Sequence, residues 1–494
     1  MPGRPAARSS CDDAPGPGAV TRGTEGADVI ETLLRTKPLA GLLAEAADER
    51  TALKRTLRAW DLVAIGIGCI IGVGIFVLPG VEAAKHAGPG IILAFAIAAA
   101  ACACSALSYA ELAAMIPVAG SAYTYGYATL GEIFAWIIGW DLILEYMVAA
   151  ILVSIGWSAY FVNMTTQIGV HLPQAIVAGP FADPPGVVNL PAVAIVLALT
   201  VLLVRGIRES AGFNLAIVVL KLAVIVLFLV LASPHVEAAH WRPFLPFGFG
   251  GVMTSAAIVF LAYVGFDAVS TTAEEAVNPQ RDMPIGIVGS LVVATVAYMA
   301  VSAVMTGVVP YTELGVADPV ALVLNRLNMP WASAIISVGA IAGITSVLLV
   351  LLLGQPRILF AMSRDGLLPP ALSSVHPRYR TPHRTTMLTG SIVSVAAALM
   401  RLDTAAELAS IGTLLAFMIV SAGVIVLRVT RKDLHRPFKV PLFPFVPCLG
   451  IALCGYLMLS LPWQTWVRLV VWLAIGLLVY VFYGRRASLL AKET

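Results

Sequence analysis

The run Ile65-Gly66-Ile67-Gly68-Cys69-Ile70-Ile71-Gly72-Val73-Gly74-Ile75-Phe76 places four glycines in twelve otherwise apolar residues. Glycine loosens a helix and lets backbone come close to a ligand. A second stretch departs from helical regularity in the same way. Phe260-Leu261-Ala262-Tyr263-Val264-Gly265-Phe266-Asp267-Ala268 carries one glycine and, beside it, a carboxylate in an apolar setting. Irregular backbone at membrane depth is tolerated only where it is buried in protein or lines a cavity. An aspartate there marks a cavity or a partner. These two stretches decide the fold class if the sequence around them spans a membrane.

It reads that way. Of the 494 residues 59% are apolar and only 12% charged, and the mean hydropathy is +0.91. A soluble protein is about 25% charged, and its core cannot absorb this much apolar surface. Crossing the hydrocarbon core takes about 20 apolar residues in a helix. Twelve stretches qualify, at 60–80, 90–116, 131–162, 189–206, 211–232, 249–273, 284–309, 331–360, 385–401, 405–428, 444–461 and 464–484. None shows the alternation of a membrane β-barrel. With the N-terminus in the cytoplasm, inner segments hold 25 of the 31 Lys and Arg, outer segments five, and Lys221 is left inside a span. That skew obeys the positive-inside rule and puts both termini in the cytoplasm.

The glycine-interrupted spans are the first and the sixth. An odd offset of five makes the units 59–232 (spans 1–5) and 249–428 (spans 6–10) opposite in orientation, an inverted repeat. Spans 11 and 12 (444–484) stand outside it. Paired interrupted helices at corresponding places point to a transport site. Gly68 and Gly72 also form a small-residue helix-packing pattern, so packing alone is the rival explanation. A dinucleotide fingerprint is excluded, because no strand or βαβ unit surrounds the glycines.

Such a pair suits a free amino acid. Uncoiled backbone offers N–H groups to a carboxylate and carbonyl oxygens to an ammonium without a charged side chain. Lys221 is the one basic residue in a span interior. A central lysine costs about 2.5–3.5 kcal/mol to insert, and an amine that can shed its proton when desolvated can couple transport to a proton gradient. A permanent structural strut, or a residue that snorkels to the interface, is the alternative.

Several longer runs resemble the amino acid–polyamine–organocation (APC) superfamily, and most of all the bacterial branch of its cationic amino acid transporter family. They are Arg35-Thr36-Lys37-Pro38, the Gly68–Phe76 run, Ser108-Tyr109-Ala110-Glu111-Leu112, Gly265-Phe266-Asp267-Ala268-Val269-Ser270 with Asn278-Pro279, and Gln355-Pro356-Arg357 leading to Ala361-Met362-Ser363-Arg364-Asp365-Gly366. The resemblance implies an all-α membrane protein of the LeuT type: a 5 + 5 inverted repeat, twelve transmembrane helices, and helices 1 and 6 broken. It implies import of L-amino acids across the cell membrane. It implies that the substrate carboxylate meets the backbone of Gly72, Val73 and Gly74, and the ammonium meets carbonyls near Ile70, Leu261 and Val264. Ala262, Phe266 and Leu351 complete the expected pocket. It also implies that Lys221 replaces a bound sodium ion, with the Gly68 and Ile71 carbonyls and Thr345 or Ser346 as neighbours. Val73 departs from the family, where a hydroxyl residue often stands.

Glu145 is expected either on the proton path or in a structural hydrogen bond. Asp267 is expected to cap or gate more than to touch substrate, and Phe266 is the best gate candidate among the nearby aromatics. Glu111 is expected to anchor the cytoplasmic end of span 2. With apolar side chains around the pocket, the expected cargo is a small neutral amino acid such as alanine, moved by proton symport. Arginine or lysine is the runner-up, and only Glu145 or Asp267 could meet such a tail. Amino-acid/polyamine exchange and a membrane nutrient sensor are the further alternatives. No nucleophile–base pair or metal-spaced His pair suggests an enzyme, a metal or a cofactor, and a net charge of +3 does not suggest nucleic acid. Residues 1–28 are expected to be disordered, 29–58 to carry an amphipathic cytoplasmic segment, and 485–494 to be a cytoplasmic tail. From the polar start no cleavable signal peptide is expected. The six cysteines read as small apolar fillers.

Overall fold

Each apolar run above falls on one or more helices in the computed structural model, which describes residues 35–36, 56–116, 121–205, 211–270, 272–376, 379 and 381–489. The disordered and amphipathic segments expected within 1–58 lie almost wholly outside the described residues, as do Lys37 and Pro38 of the Arg35–Pro38 run.

The first run is three short helices, α1 (Ala59–Ile70), α2 (Val73–Phe76) and α3 (Leu78–Glu82). Helix α4 (Ile91–Met115) follows, then α5 (Ser121–Thr129), the long α6 (Glu132–Gln167), α7 (Leu190–Arg205) and α8 (Ala211–Ala232). The sixth run is α9 (Gly248–Val259), a 3₁₀ turn at Phe260–Tyr263, and α10 (Phe266–Ser270). After it come α11 (Pro279–Val308), α12 (Pro319–Arg326), α13 (Pro330–Arg364), α14 (His383–Leu399), α15 (Leu402–Thr430), α16 (Phe445–Leu459) and α17 (Trp463–Val479).

Among the described residues, seven helical stretches are long and apolar enough to cross a membrane, and four shorter apolar helices accompany them. The shorter ones have plain causes. The first and sixth runs are interrupted, and α7 and α16 are 16 and 15 residues long, below the roughly 20 that a perpendicular crossing takes. Among the described residues the only β pairing is two isolated bridges, Leu57–Ala276 and Val177–Asn189.

Helix α6 runs through the middle, packed along its length by α13 and α15, while α11 lies against α1 and α4. Aliphatic side chains on the outward faces of α8, α11 and α17 are exposed: Val219, Val226, Val230, Val296, Val470 and Leu478. An exposed stripe of that kind is stable only against lipid. At one end of the bundle, Arg428 on α15 forms a bidentate pair with the buried Glu111 of α4, and Arg436 reaches the same carboxylate at 3.6 Å. The Val440 amide donates to Glu111 at 2.7 Å. Glu111 thus clamps the loop after α15 to the end of α4, the anchoring place read for it from sequence.

Candidate functional site

Helix α1 ends at Ile70 because Ile71 turns extended (φ −78°, ψ 101°) and Gly72 adopts φ −155°, ψ −129° before α2 starts. The last carbonyls of a helix have no intrahelical donor. Two of them find side chains instead. Lys221 Nζ donates to Gly68 O at 2.6 Å, and Tyr298 Oη donates to Ile70 O at 2.8 Å. An ammonium at a helix C-terminus is also favoured by the helix dipole. Lys221 is fully buried. A Cβ on Gly343 of α13 would press on the lysine stem at 3.1 Å, so that glycine makes its channel. Two of the other expected neighbours, Thr345 and Ser346, make hydrogen bonds of their own. Thr345 donates to Ile341 O and accepts from Trp157 Nε1, and Ser346 donates to Gly343 O.

The sixth run is interrupted where Val264 turns extended (φ −59°, ψ 134°) and Gly265 takes φ +125°. The Gly265 amide donates to Asp267 Oδ1 at 2.9 Å, so Asp267 caps the start of α10. A Cβ on Gly265 would lie 2.9 Å from the Cys69 carbonyl carbon, and one on Gly74 would lie 2.6 Å from Ala262 Cβ. The two interruptions therefore touch each other through glycine. Tyr298 on α11 ties them: its hydroxyl also lies 2.6 Å from Ala262 O. One O–H cannot fully satisfy two carbonyls, which leaves acceptor capacity at Ile70 and Ala262.

Between the interruptions lies a cavity of about 50 Å³. Of the residues expected from sequence, Ile70, Gly72, Val73, Gly74, Leu261, Ala262, Val264 and Leu351 line it. Phe266 does not. It is buried beside the cavity, edge-on to Tyr109 and tilted against Phe417 with ring centroids 5.6 and 5.0 Å away. The rest of the wall is mostly aliphatic, from Leu78 of α3, Ala149, Leu152 and Val153 of α6 and Val347 and Val350 of α13, with Gly265 and with the Cys69, Tyr146 and Asp267 side chains. Glu145, next to Tyr146, is buried outside this wall with Oε2 unpartnered.

Sequence reasoning missed Tyr298, because a tyrosine in an apolar span has no pattern to betray it. It missed Tyr146 and the Val347–Val350 pair for the same reason.

A separate, wider cavity of about 670 Å³ lies along α6 between Ile155 and Gln167. Lys85 Nζ and Arg401 both reach Asp403 Oδ2 at 2.9 Å on its wall. Asp318, in the segment between α11 and α12, accepts from Asn163 Nδ2 at 2.7 Å. Desolvation pushes the Asp318 carboxyl up to about 6, against that hydrogen bond, which lowers it. The folded protein thus holds this proton more tightly than an unfolded chain does. The resulting stabilisation is complete below the ordinary aspartate value of about 4 and is lost as pH rises through about 6. Asp318→Asn, which cannot titrate there, is expected to flatten the fall in thermal unfolding temperature between pH 5 and 7. Identical slopes in the two proteins would refute this.

A profile of the amino acid permease family matches residues 57–484. The chain is 50% identical over 460 residues to the branched-chain amino acid permease BcaP of Bacillus subtilis (strain 168), covering 92% of this chain and 98% of that one. It is 48% identical over 463 residues to the methylthioribose transporter of the same organism, covering 94% and 100%. Cationic amino acid transporter 4 of Homo sapiens is 30% identical, with 94% and 91% covered. With apolar helices throughout and a cavity between two helix interruptions, this chain is a multi-pass membrane protein that belongs to the amino acid permease family of the APC superfamily.

Proposed function

We propose that the chain imports neutral L-amino acids across the cell membrane by proton symport, through alternating access of a LeuT-type 5 + 5 fold with twelve crossings. In this reading α1–α3 form a broken helix 1, and α9–α10 with the turn between them form a broken helix 6. The observation that carries it is the cavity between the interruptions, polar through its backbone and aliphatic almost everywhere else. The substrate carboxylate would face the backbone of Gly72, Val73 and Gly74. The ammonium would share the Ile70 and Ala262 carbonyls with Tyr298. Lys221, bound to the same helix end that frames the substrate site, would carry the coupled proton.

The side-chain space supports a neutral cargo. A cationic tail would find Asp267 alone on the wall, and that carboxylate already caps α10. A cavity of about 50 Å³ has room for about three to five waters, which favours alanine as the side chains stand. A second reading is a branched-chain cargo. The aliphatic patch of Val153, Val347, Val350 and Leu351 favours it, as does the Bacillus relative named a branched-chain amino acid permease. Valine or leucine would require those side chains to shift outward. Membership of the family does not fix the substrate, since the methylthioribose transporter is as similar.

A thermal-shift panel of purified protein against the amino acids separates these readings. Alanine, or valine and leucine under the second reading, is expected to raise the unfolding temperature, and arginine and lysine are not. Stabilisation by arginine alone would overturn both neutral readings. Uptake into proteoliposomes that ignores an imposed pH gradient would overturn the symport.

A further inference from the structure

Asp141 on α6 is a buried carboxyl that nothing above uses. Its side chain is wholly inaccessible, and neither Oδ1 nor Oδ2 has a hydrogen-bond partner. It faces Gly412 of α15: a Cβ built on Gly412 would lie 2.9 Å from Oδ1 and 3.4 Å from Cγ. Glu145 follows one helical turn later on the same side of α6, also buried, with Oε2 unpartnered. The groups around this pair are Tyr146 on α6, Tyr109 on α4, Asp267 on α10 and Thr413 on α15. None is basic. Among the described residues no Lys, Arg or His pairs with either carboxyl, and no third ligand stands close enough to hold a metal ion.

An ionised carboxylate with no donor and no counter-charge in an apolar seam is the most costly state such a group can have. A carboxylic acid is neutral and pays little of that penalty. Here two carboxyls sit a turn apart with a third nearby, so they cannot all be charged together. A carboxyl so placed, without donor or counter-charge, suits the protonated form. Gly412 keeps the seam between α6 and α15 thin, because its lack of a side chain is what lets the carboxyl fit against α15.

We propose that Asp141 is a proton-carrying group of the transport cycle. It is held as the neutral acid while the α6–α15 seam is closed, and it releases its proton to water, leaving the carboxylate, when the seam opens. This rests on the proton-symport reading and adds a carrier to it on a different helix from Lys221.

The test uses the full chain in proteoliposomes, with thermal unfolding as a check on folding. Infrared spectra of wild type at neutral pH should show a C=O stretch of a buried carboxylic acid, and Asp141→Asn should remove it. The variant should also lose about fivefold of the response of alanine uptake to an imposed pH gradient, the low end of coupling between two sites. Asp141→Glu, which restores a titratable group, should recover part of both signals. If Asn prevents folding, the Glu variant still reads the band, which should shift in position. An unchanged band in Asp141→Asn, or a lost band with an unchanged pH response, overturns the proposal. If wild-type uptake itself ignores the gradient, the symport reading fails, and the band alone reports whether Asp141 holds a proton.

Discussion

Lys221→Ala is expected to abolish proton-driven uptake of alanine while counterflow of alanine across the same liposomes continues at a reduced rate. The amine does two things in the structure. It closes the open carbonyl at the end of α1 with a 2.6 Å bond, and it fills the space beside Gly343 with its stem. A hydrogen bond to a charged group contributes about 1.5–3 kcal/mol. Losing it from one access state alone shifts the balance between states by about ten- to a hundredfold. The cavity proposed for the substrate is lined by α1 residues just beyond that carbonyl, so an α1 end that no longer responds to protons should leave a pocket that still exchanges substrate. Lys221→Arg should not rescue, because a guanidinium does not release its proton and is too large for the channel beside Gly343. Full gradient response in Lys221→Ala would remove the lysine from the mechanism. Loss of counterflow and unfolding together would make it a strut.

What the sequence told in advance, and what it did not, follows from which interactions leave a local trace. Apolar length does, so each run met a helix. Glycine clusters do, because only a backbone that bends or touches another element repeats them, and Gly72, Gly74 and Gly265 stand where helices stop or meet. A lone lysine in an apolar span also does, and Lys221 lies against the Gly68 carbonyl named for it. Pairings between distant segments leave none. The Tyr298 hydroxyl between Ile70 and Ala262, the Trp157 indole that occupies Thr345, and the Gly412 backbone facing Asp141 join residues 36 to 271 positions apart. Phe266 shows the limit of reading one element. It follows the interruption as a gate would, yet it packs with Tyr109 and Phe417 from two other helices. Helix length misleads in its own way, since the first and sixth runs come as pieces, each shorter than the roughly 20 residues of a crossing.

Gly265→Ala is expected to cost about 1–3 kcal/mol of stability from backbone strain alone and to reduce alanine uptake by tenfold or more, about what 1.4 kcal/mol of misplacement removes. Two independent constraints meet at this residue. At φ +125° an L side chain is strained wherever it points. The added methyl would also lie 2.9 Å from both the Cys69 carbonyl carbon and the Cys69 Cβ, and backbone cannot retreat as a flexible side chain can. Relief must come from moving α10 away from α1, which widens the seam between the two interruptions and pulls the Ala262 and Ile70 carbonyls apart. Gly250→Ala is the matched control. That glycine lies in α9, its added methyl would meet nothing within 4 Å, and its φ is not positive. It should gain up to about 1 kcal/mol from helix propensity and transport normally. The two variants separate a site that needs the bare backbone from a helix that merely contains a glycine. If Gly265→Ala unfolds and transports like wild type, the close contact of the interruptions is not what shapes the pocket, and the substrate site has to be sought elsewhere along α6.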